Sequence, residues 1–355
     1  MNASDLTIIL TLKGRSLYTI RWMRYMSDMG CPYKILIADG GDDVSVERNL
    51  KKYTNYPNIV YQYIRYPYDK DSSCYYNKLS DVVSKVDSKY ILFADNDDFF
   101  ILNNIPNYIQ FLDENTDFVS CGSPHCALEI LAETNEAQNM VQGKRYLLSK
   151  QKYISRTIEY DFYLDRVLYF FKHVDQHDLW MSYYYIHRTG PIKRIVNYLK
   201  IHKFSDFVGY EIFLLTAMLM QGKSKELPGV CYIRQTGSSE TTALMKYNLI
   251  ERLIKTNSFT EIMDGLEYLF DCLKKSEKNA ILRAYSFWFA NHACGLYVFS
   301  ASSIFFDKLY KILAENEHKY ISFTARRLHS YYVLMLKKRS RKFIKLPLIE
   351  KYIIE

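Results

Sequence analysis

The sequence lacks the short motifs that identify several common classes of enzyme. No Gly-x-Gly-x-x-Gly follows the first apolar stretch, and no complete Walker-type Gly-x-x-x-x-Gly-Lys-Ser/Thr phosphate loop occurs. These absences disfavour a dinucleotide-binding fold and a P-loop NTPase. No Gly-x-Ser-x-Gly elbow is present, which argues against a serine hydrolase of that type. The seven cysteines are dispersed and odd in number, so we interpret them as reduced thiols of a cytosolic protein.

Segments that would predict a leader or a membrane span are also missing or weak. The first 15 residues have no basic region ahead of a short apolar run, so no signal peptide is expected. Residues 284–306 contain no Asp, Glu, Lys or Arg and are long enough to cross a bilayer, but four Ser, one Asn and one His dilute them. We therefore interpret this segment as a buried helix and expect a cytoplasmic protein.

Acidic residues are absent from one basic segment near the end of the sequence. Nine Lys or Arg lie between Lys319 and Lys345, whereas the formal net charge of the whole chain is +8. The remainder is therefore about neutral. The positive charge is confined to this segment and does not lie beside the strand ends where a ligand is expected, as described below, so a nucleic-acid binder is disfavoured. Residues 336–349 mix basic and apolar side chains. Peripheral contact with the inner face of a membrane and a homo-oligomer interface both remain open for them.

The sequence does contain a regular alternation of strand and helix patterns. Apolar strand patterns cover residues 6–12, 33–38, 58–64 and 90–94, and helical patterns cover residues 16–29, 44–53 and 75–86. Ser16 is the expected N-cap of the first helix. Such alternation predicts an α/β fold with a mostly parallel central sheet flanked by helices. Ligands of such folds bind at the carboxyl ends of the strands.

The fourth strand pattern leads directly into an acidic turn. In the sequence YILFADNDDFF, which begins at Tyr90, the apolar strand is followed by Asp95, Asn96, Asp97 and Asp98. Close carboxylates repel one another, so this concentration of charge favours a bound cation. A hard divalent ion such as Mn2+ or Mg2+ suits oxygen ligands. Polar residues also follow the first two strands, at Lys13 to Arg15 and at Asp39, and are expected at the same edge.

The rest of the sequence predicts an insertion, further α/β elements and a helical region. Residues 127–178 have a mixed pattern, with a helix near 158–172, and we interpret them as an insertion of unassigned role. A strand is expected at 181–187, where three consecutive tyrosines are expected to pack on the sheet, and a helix near Tyr210 and Glu211. Strand patterns almost vanish after residue 242. We therefore predict a first domain over residues 1–242 and a helical domain over residues 243–355.

Several of these segments together resemble the GT-A-fold glycosyltransferases of the family 2 type. Residues 10–15 are similar to the Pro-Thr-x-Asn-Arg signature after the first strand, and residues 35–43 to the Val-Asp-Asp-Gly-Ser-x-Asp strand end. Residues 90–98 closely match Tyr-Ile-x-Phe-Leu-Asp-x-Asp-Asp, which contains the DxD motif. Gly209-Tyr210-Glu211 resembles the Gly-Glu-Asp element, and residues 231–238 the Tyr-x-Arg-x-x-Gly-Ser segment. The chain departs from the pattern at Thr11, Gly14 and Ala38.

The resemblance implies an inverting, metal-dependent glycosyltransferase with a nucleotide-sugar donor, a UDP-linked sugar being favoured. It implies Asp97 as a metal ligand, and Asp95 on the metal or on the donor ribose. It places Thr11 and Asp39 near the base and ribose, and Lys13 or Arg15 near the phosphates. Glu211 is the expected catalytic base, with Asp206 as its rival. The acceptor would be a hydroxyl of a glycan or a lipid-linked glycan in surface polysaccharide biosynthesis.

Two other functions remain open from the sequence. A sugar-nucleotide nucleotidyltransferase could use a related sheet, although no glycine-rich and basic phosphate loop follows the first strand. A non-catalytic scaffold of the same fold is the second alternative.

Overall fold

The computed structural model describes residues 5–131, 145–150, 155–174, 179–205, 207–236, 257–271, 273–289 and 347–353. The strands in these ranges are β1 (Leu6–Leu12), β2 (Lys34–Asp39), β3 (Tyr61–Arg65), β4 (Tyr90–Ala94), β5 (Phe99–Phe100), β6 (Phe118–Gly122), β7 (His125–Leu131), β8 (Arg145–Lys150), β9 (Ile186–Arg188), β10 (Lys223–Glu226) and β11 (Tyr232–Thr236). The helices are α1 (Ser16–Asp28), α2 (Val44–Lys51), α3 (Ser72–Ser84), α4 (Ile105–Glu114), α5 (Tyr163–His173), α6 (Thr189–Ile201), α7 (Phe207–Gln221), α8 (Ser258–Leu269), α9 (residues 275–289) and α10 (Pro347–Ile353).

The larger of two sheets has seven strands in the order β10-β6-β9-β4-β1-β2-β3. Its strands are parallel except β9, which runs antiparallel between β4 and β6. The smaller sheet has the order β5-β11-β7-β8 and lies beside the point where β4 ends. The predicted fold class, an α/β protein with a mostly parallel central sheet flanked by helices, is confirmed.

Helices cover both faces of the large sheet, which explains why its central strands are apolar throughout. Leu6, Ile8 and Leu10 of β1 pack into one core with side chains of α1, whereas Ile9 packs into a second core with side chains of α3, α6 and α7. Successive side chains of a strand point to opposite faces, so a strand covered on both faces needs no polar positions. All five residues of β4 are buried. The strands are therefore fixed in place, and polar residues become accessible only where they end.

Several predicted boundaries are corrected by the structure. The predicted strand at 181–187 is wrong over its first part, because residues Leu179–Tyr184 form a 3-10 helix and β9 begins only at Ile186. Arg15, and not Ser16, occupies the N-cap position of α1, and it has the left-handed conformation φ 63°, ψ 50°. The helix expected near Tyr210 begins three residues earlier, at Phe207.

The predicted insertion, residues 127–178, contains two strands of the smaller sheet and one helix. Its described residues form most of β7, all of β8, and α5. The short strand β10 lies outside the insertion, was not predicted, and pairs with β6. The described residues beyond 242 are helical, as expected, in α8, α9 and α10. The division into two domains at residue 242 stays a prediction. The basic segment between Lys319 and Lys345 lies outside the described residues.

None of the helices within the described ranges combines the length and the hydropathy that crossing a membrane requires. The segment 284–306 is described only up to residue 289, and that part is helical.

Candidate active site

The acidic turn after β4 gathers three carboxylates at the carboxyl edge of the large sheet. The Asp98 amide donates to the Asp95 carbonyl at 3.4 Å, which closes the turn. One carboxylate oxygen from each of Asp95, Asp97 and Asp98 lies within 4.8 Å of the others. Donor oxygens of a Mg2+ or Mn2+ ion lie about 3 to 4 Å apart when metal–oxygen distances are about 2.1 Å. The three residues therefore fit a hard divalent cation after a small contraction.

The electrostatics of the turn also favour a cation. Burial and then the charge of Asp97 raise the pKa of Asp95 to about 6. Burial, followed by the charges of Asp97 and Asp95, raises the pKa of Asp98 well above its ordinary value. Such shifts mean that ionised carboxylates are destabilised here unless positive charge accompanies them.

Two stacked tyrosines donate hydrogen bonds to the carboxylates of Asp95 and Asp98. Tyr184 donates its hydroxyl to Asp95 Oδ2, and Tyr232 donates its hydroxyl to Asp98 Oδ2. The two rings stack with centroids 4.5 Å apart and planes 16° from parallel. Asp98 Oδ1 accepts a further hydrogen bond of 2.8 Å from the backbone amide of Gln235. Asp98 is therefore tied to β11 and acts as a structural anchor, which leaves Asp95 and Asp97 as the more available metal ligands.

Asp97 lies between two arginines of the first loop and helix. Arg15 Nη2 donates to Asp97 Oδ2 at 2.9 Å, and Arg21 Nη2 donates to the Asp97 carbonyl at 2.8 Å. Burial lowers the pKa of Arg21 to about 10, so its guanidinium remains charged at neutral pH. Asn96 faces the same loop and donates to Thr19 Oγ1 at 2.9 Å. The β1 loop and the acidic turn are thereby joined as the sequence predicted.

Asp39 ends β2 at the same edge, but its carboxylate is already well satisfied. Oδ2 accepts from the Tyr63 hydroxyl at 2.7 Å and from Arg65 Nη1 at 2.8 Å, and Oδ1 accepts from the Gly41 amide at 2.8 Å. Its side chain is only 3% exposed. In this arrangement Asp39 shapes the loop, and a direct contact with a ligand would require Tyr63 or Arg65 to move.

Thr11 and Lys13, the other predicted donor-site residues, also lie at this edge. Thr11 is half-buried at the end of β1, and Lys13 is exposed with its ammonium 5.5 Å from the centre of the Tyr68 ring. Beneath them lies a buried ion pair that the sequence did not reveal. Lys78 of α3 binds Asp69 and donates to the Leu12 carbonyl at 2.8 Å. This pair holds the end of β1 from below.

Glu211 lies in the second turn of α7, so it is not the first-turn glutamate that a helix dipole would favour. Glu211 and Asp95 of the acidic turn both influence the pKa of Tyr75. Burial raises the pKa of Tyr75, and the charges of Asp95 and Glu211 act in the same direction. The charges of both carboxylates therefore act on the pKa of the same tyrosine. Asp206, the alternative base, lies outside the described residues.

Sequence reasoning missed Tyr184, Tyr232 and Arg21 as members of this site. Tyr184 belongs to the 3-10 helix that precedes the antiparallel strand β9, and Tyr232 belongs to the second sheet. The consecutive tyrosines were expected only to pack on the sheet. That expectation holds for Tyr183, whose ring stacks on Phe93 at 4.9 Å, and for Tyr184, which packs against the core and on Tyr232 but also donates its hydroxyl to Asp95.

No model of a known protein family matches the sequence, and no curated protein matches it either. Among solved structures, S. aureus TarS has 14% identity and a TM-score of 0.45 over 79% of this chain, which spans only 42% of the TarS chain. The structure of S. aureus TarS 1-349 in complex with UDP-GlcNAc has 13% identity and a TM-score of 0.42, covering 80% of each chain. The mannosyltransferase PcManGT from Pyrobaculum calidifontis, in complex with GDP-Man and Mn2+, has 9% identity and a TM-score of 0.40 over 84% of this chain and 79% of its own. At these identities and TM-scores, the likenesses establish neither a shared activity nor shared ligands.

Proposed function

We propose that the protein is a GT-A-type, inverting, metal-dependent glycosyltransferase that moves a sugar from a nucleotide donor, a UDP-linked sugar being favoured, to a hydroxyl acceptor. The observation that carries this proposal is that one carboxylate oxygen from each of Asp95, Asp97 and Asp98 lies within 4.8 Å of the others, directly after strand β4. An acidic cluster and a separate carboxylate are the two charged parts that such a transfer needs. The acceptor that we propose is a surface or lipid-linked glycan, in keeping with the family resemblance of the sequence.

In the proposed reaction, Asp97 and Asp95 would hold the divalent ion, and Asp98 keeps the turn in place through its bonds to Tyr232 and to the Gln235 backbone amide. When bound, the ion would stabilise the negative charge that develops on the departing diphosphate. Arg15 and Lys13 lie on the loop where they can face the phosphates. Their positive charges would orient the diphosphate and favour its departure.

Glu211 is the proposed base for the acceptor hydroxyl. It lies on α7, whereas the donor-side residues lie on the loops after β1 and β4. An acceptor bound on the α7 side would lose its proton to Glu211 as its oxygen attacks the anomeric carbon. Attack from the side opposite the leaving group inverts the configuration of that carbon.

The proposal is tested first by ligand binding, because the acceptor is unidentified. We expect one nucleoside diphosphate, together with Mn2+, to raise the melting temperature of the full chain by on the order of 5 °C at saturating concentration. The variant Asp97→Ala should lose this shift and also lose sugar transfer. Asp42→Ala removes an exposed carboxylate from the neighbouring β2 loop and should behave like the wild type.

Two outcomes would refute the proposal. Turnover of Asp97→Ala at the wild-type rate would show that the site is assigned to the wrong residues. Release of pyrophosphate from a nucleoside triphosphate, with no use of any nucleotide sugar, would instead identify a nucleotidyltransferase.

A further inference from the structure

We propose that Arg15 is an internal counter-ion that occupies Asp97 in the metal-free protein and must leave it when a divalent cation binds. This inference rests on the metal site of the proposed function and adds a competition within that site. It concerns Arg15 and Asp97, which are 82 residues apart in the sequence and joined by a contact of 2.9 Å.

The geometry leaves a cation little access to Asp97 while the ion pair exists. The Asp97 side chain is 9% exposed, and its Oδ2 is the atom that accepts from Arg15. Asp98 has both oxygens engaged by β11, and Asp95 Oδ2 is engaged by Tyr184. A metal that binds through Asp97 Oδ2 would therefore displace the guanidinium, which it would also repel as a like charge.

Of the two arginines at Asp97, Arg15 is the one that can move. Its side chain is 27% exposed, and its chief neighbours are Asp97 and the Tyr18 ring, whose centre is 4.7 Å from the guanidinium carbon. Arg21 is buried and binds the main-chain carbonyl of Asp97. Loss of the Arg15 contact would thus remove this donor from Asp97 Oδ2, while Arg21 would keep its bond to the main-chain carbonyl.

The backbone of Arg15 supports the same assignment. Arg15 has φ 63° and is the one residue other than glycine with positive φ in the described ranges. This left-handed conformation is unfavourable for an arginine, and it places Arg15 at the N-cap position of α1 without a capping side chain. Once released, the guanidinium would be available to the diphosphate of the donor, which it can bind in a bidentate manner.

The test is the affinity of the full chain for Mn2+ alone, measured by titration calorimetry and by the electron paramagnetic resonance signal of free Mn2+. We expect Arg15→Gln to bind Mn2+ about tenfold more tightly than the wild type, because the competing cation is gone. Arg24→Gln is the matched control, since it removes one positive charge from an exposed position of α1 to which no role in donor binding is assigned. Its Mn2+ affinity should change less than threefold.

A second titration distinguishes competition from a general effect of charge. With UDP present in excess, the Mn2+ advantage of Arg15→Gln should disappear, because the variant also lacks the guanidinium that would bind the diphosphate. Equal Mn2+ affinities of Arg15→Gln and the wild type, or an equal gain in Arg24→Gln, would overturn the inference and leave the proposed function standing. Failure of every variant and the wild type to bind Mn2+ would overturn the metal site itself.

Discussion

His187 should make the stability of this protein depend on pH in a specific way. The side chain lies in β9, is 1% exposed and donates from Nε2 to the Tyr183 carbonyl at 3.0 Å. Its Nδ1 is buried with no hydrogen-bond partner among the described residues. Burial lowers the pKa of His187 to about 4. The folded protein therefore keeps this imidazole neutral at pH values where an unfolded chain would protonate it.

The sign and the size of the effect follow from proton linkage. An unfolded histidine has a pKa of about 6.5, so between pH 7.5 and pH 5.5 it takes up most of one proton. The folded state takes up almost none over the same interval. Because the unfolded state binds more protons, stability falls as pH falls, and this histidine alone should remove about 1.4 kcal/mol of unfolding free energy.

The assay compares urea unfolding at pH 7.5 and pH 5.5 for the wild type, His187→Gln and His202→Gln. The raised pKa values of Asp95 and Asp98 act in the opposite direction, so the informative quantity is the difference between variants. His187→Gln should lose less stability on acidification than the wild type does, by about 1.4 kcal/mol. His202 is exposed, and its replacement should leave the pH dependence as it is in the wild type. Identical pH dependences for His187→Gln and the wild type would refute the reasoning.

Two further predictions concern packing around the site. Tyr232→Phe removes the hydroxyl that binds buried Asp98 and should lower the unfolding free energy by about 1.5–3 kcal/mol in urea titrations at neutral pH; an unchanged midpoint would show that this contact contributes little. Gly40→Ala would place a Cβ 2.4–2.5 Å from the Asp69 carboxylate and should destabilise the protein by about 1–3 kcal/mol. Gly190→Ala is its control, since a Cβ there meets nothing within 4 Å, and an equal loss in both variants would contradict the steric explanation.

The part of the site that depends on strand ends could be predicted from the sequence. Parallel strands deliver their carboxyl ends to one edge, so Arg15, Asp39 and Asp97 were expected at the same edge; the parallel pairing of β1 with β2 and β4 places them there, and Arg15 binds Asp97. The apolar patterns of β1, β2 and β4 sufficed for this because helices cover both faces of those strands.

The remainder depends on contacts between segments whose positions no local pattern specifies. Tyr184 reaches Asp95 because β9 runs antiparallel to its neighbours, so the segment before it, and not after it, lies at the active edge. Tyr232 reaches Asp98 because β11 joins a second sheet beside the turn. The bond that Lys78 makes to the Leu12 carbonyl spans 66 residues. From the sequence, a lysine within an amphipathic helix is expected to be exposed. The structure shows that Lys78 is instead buried and paired with Asp69.

Helix α10 packs against residues near the start of the chain, so the contacts that it makes are among the longest in sequence separation. Ile349, Tyr352 and Ile353 belong to the same buried cluster as the first two strands, and Lys351 and Tyr352 both bind Asp28, more than 300 residues earlier. Loops of that length close slowly, because chain entropy opposes contacts between distant segments. The apolar surface beside α1 therefore stays uncovered until residues 347–353 have been synthesised and have reached it, and we expect this docking to be a late step of folding.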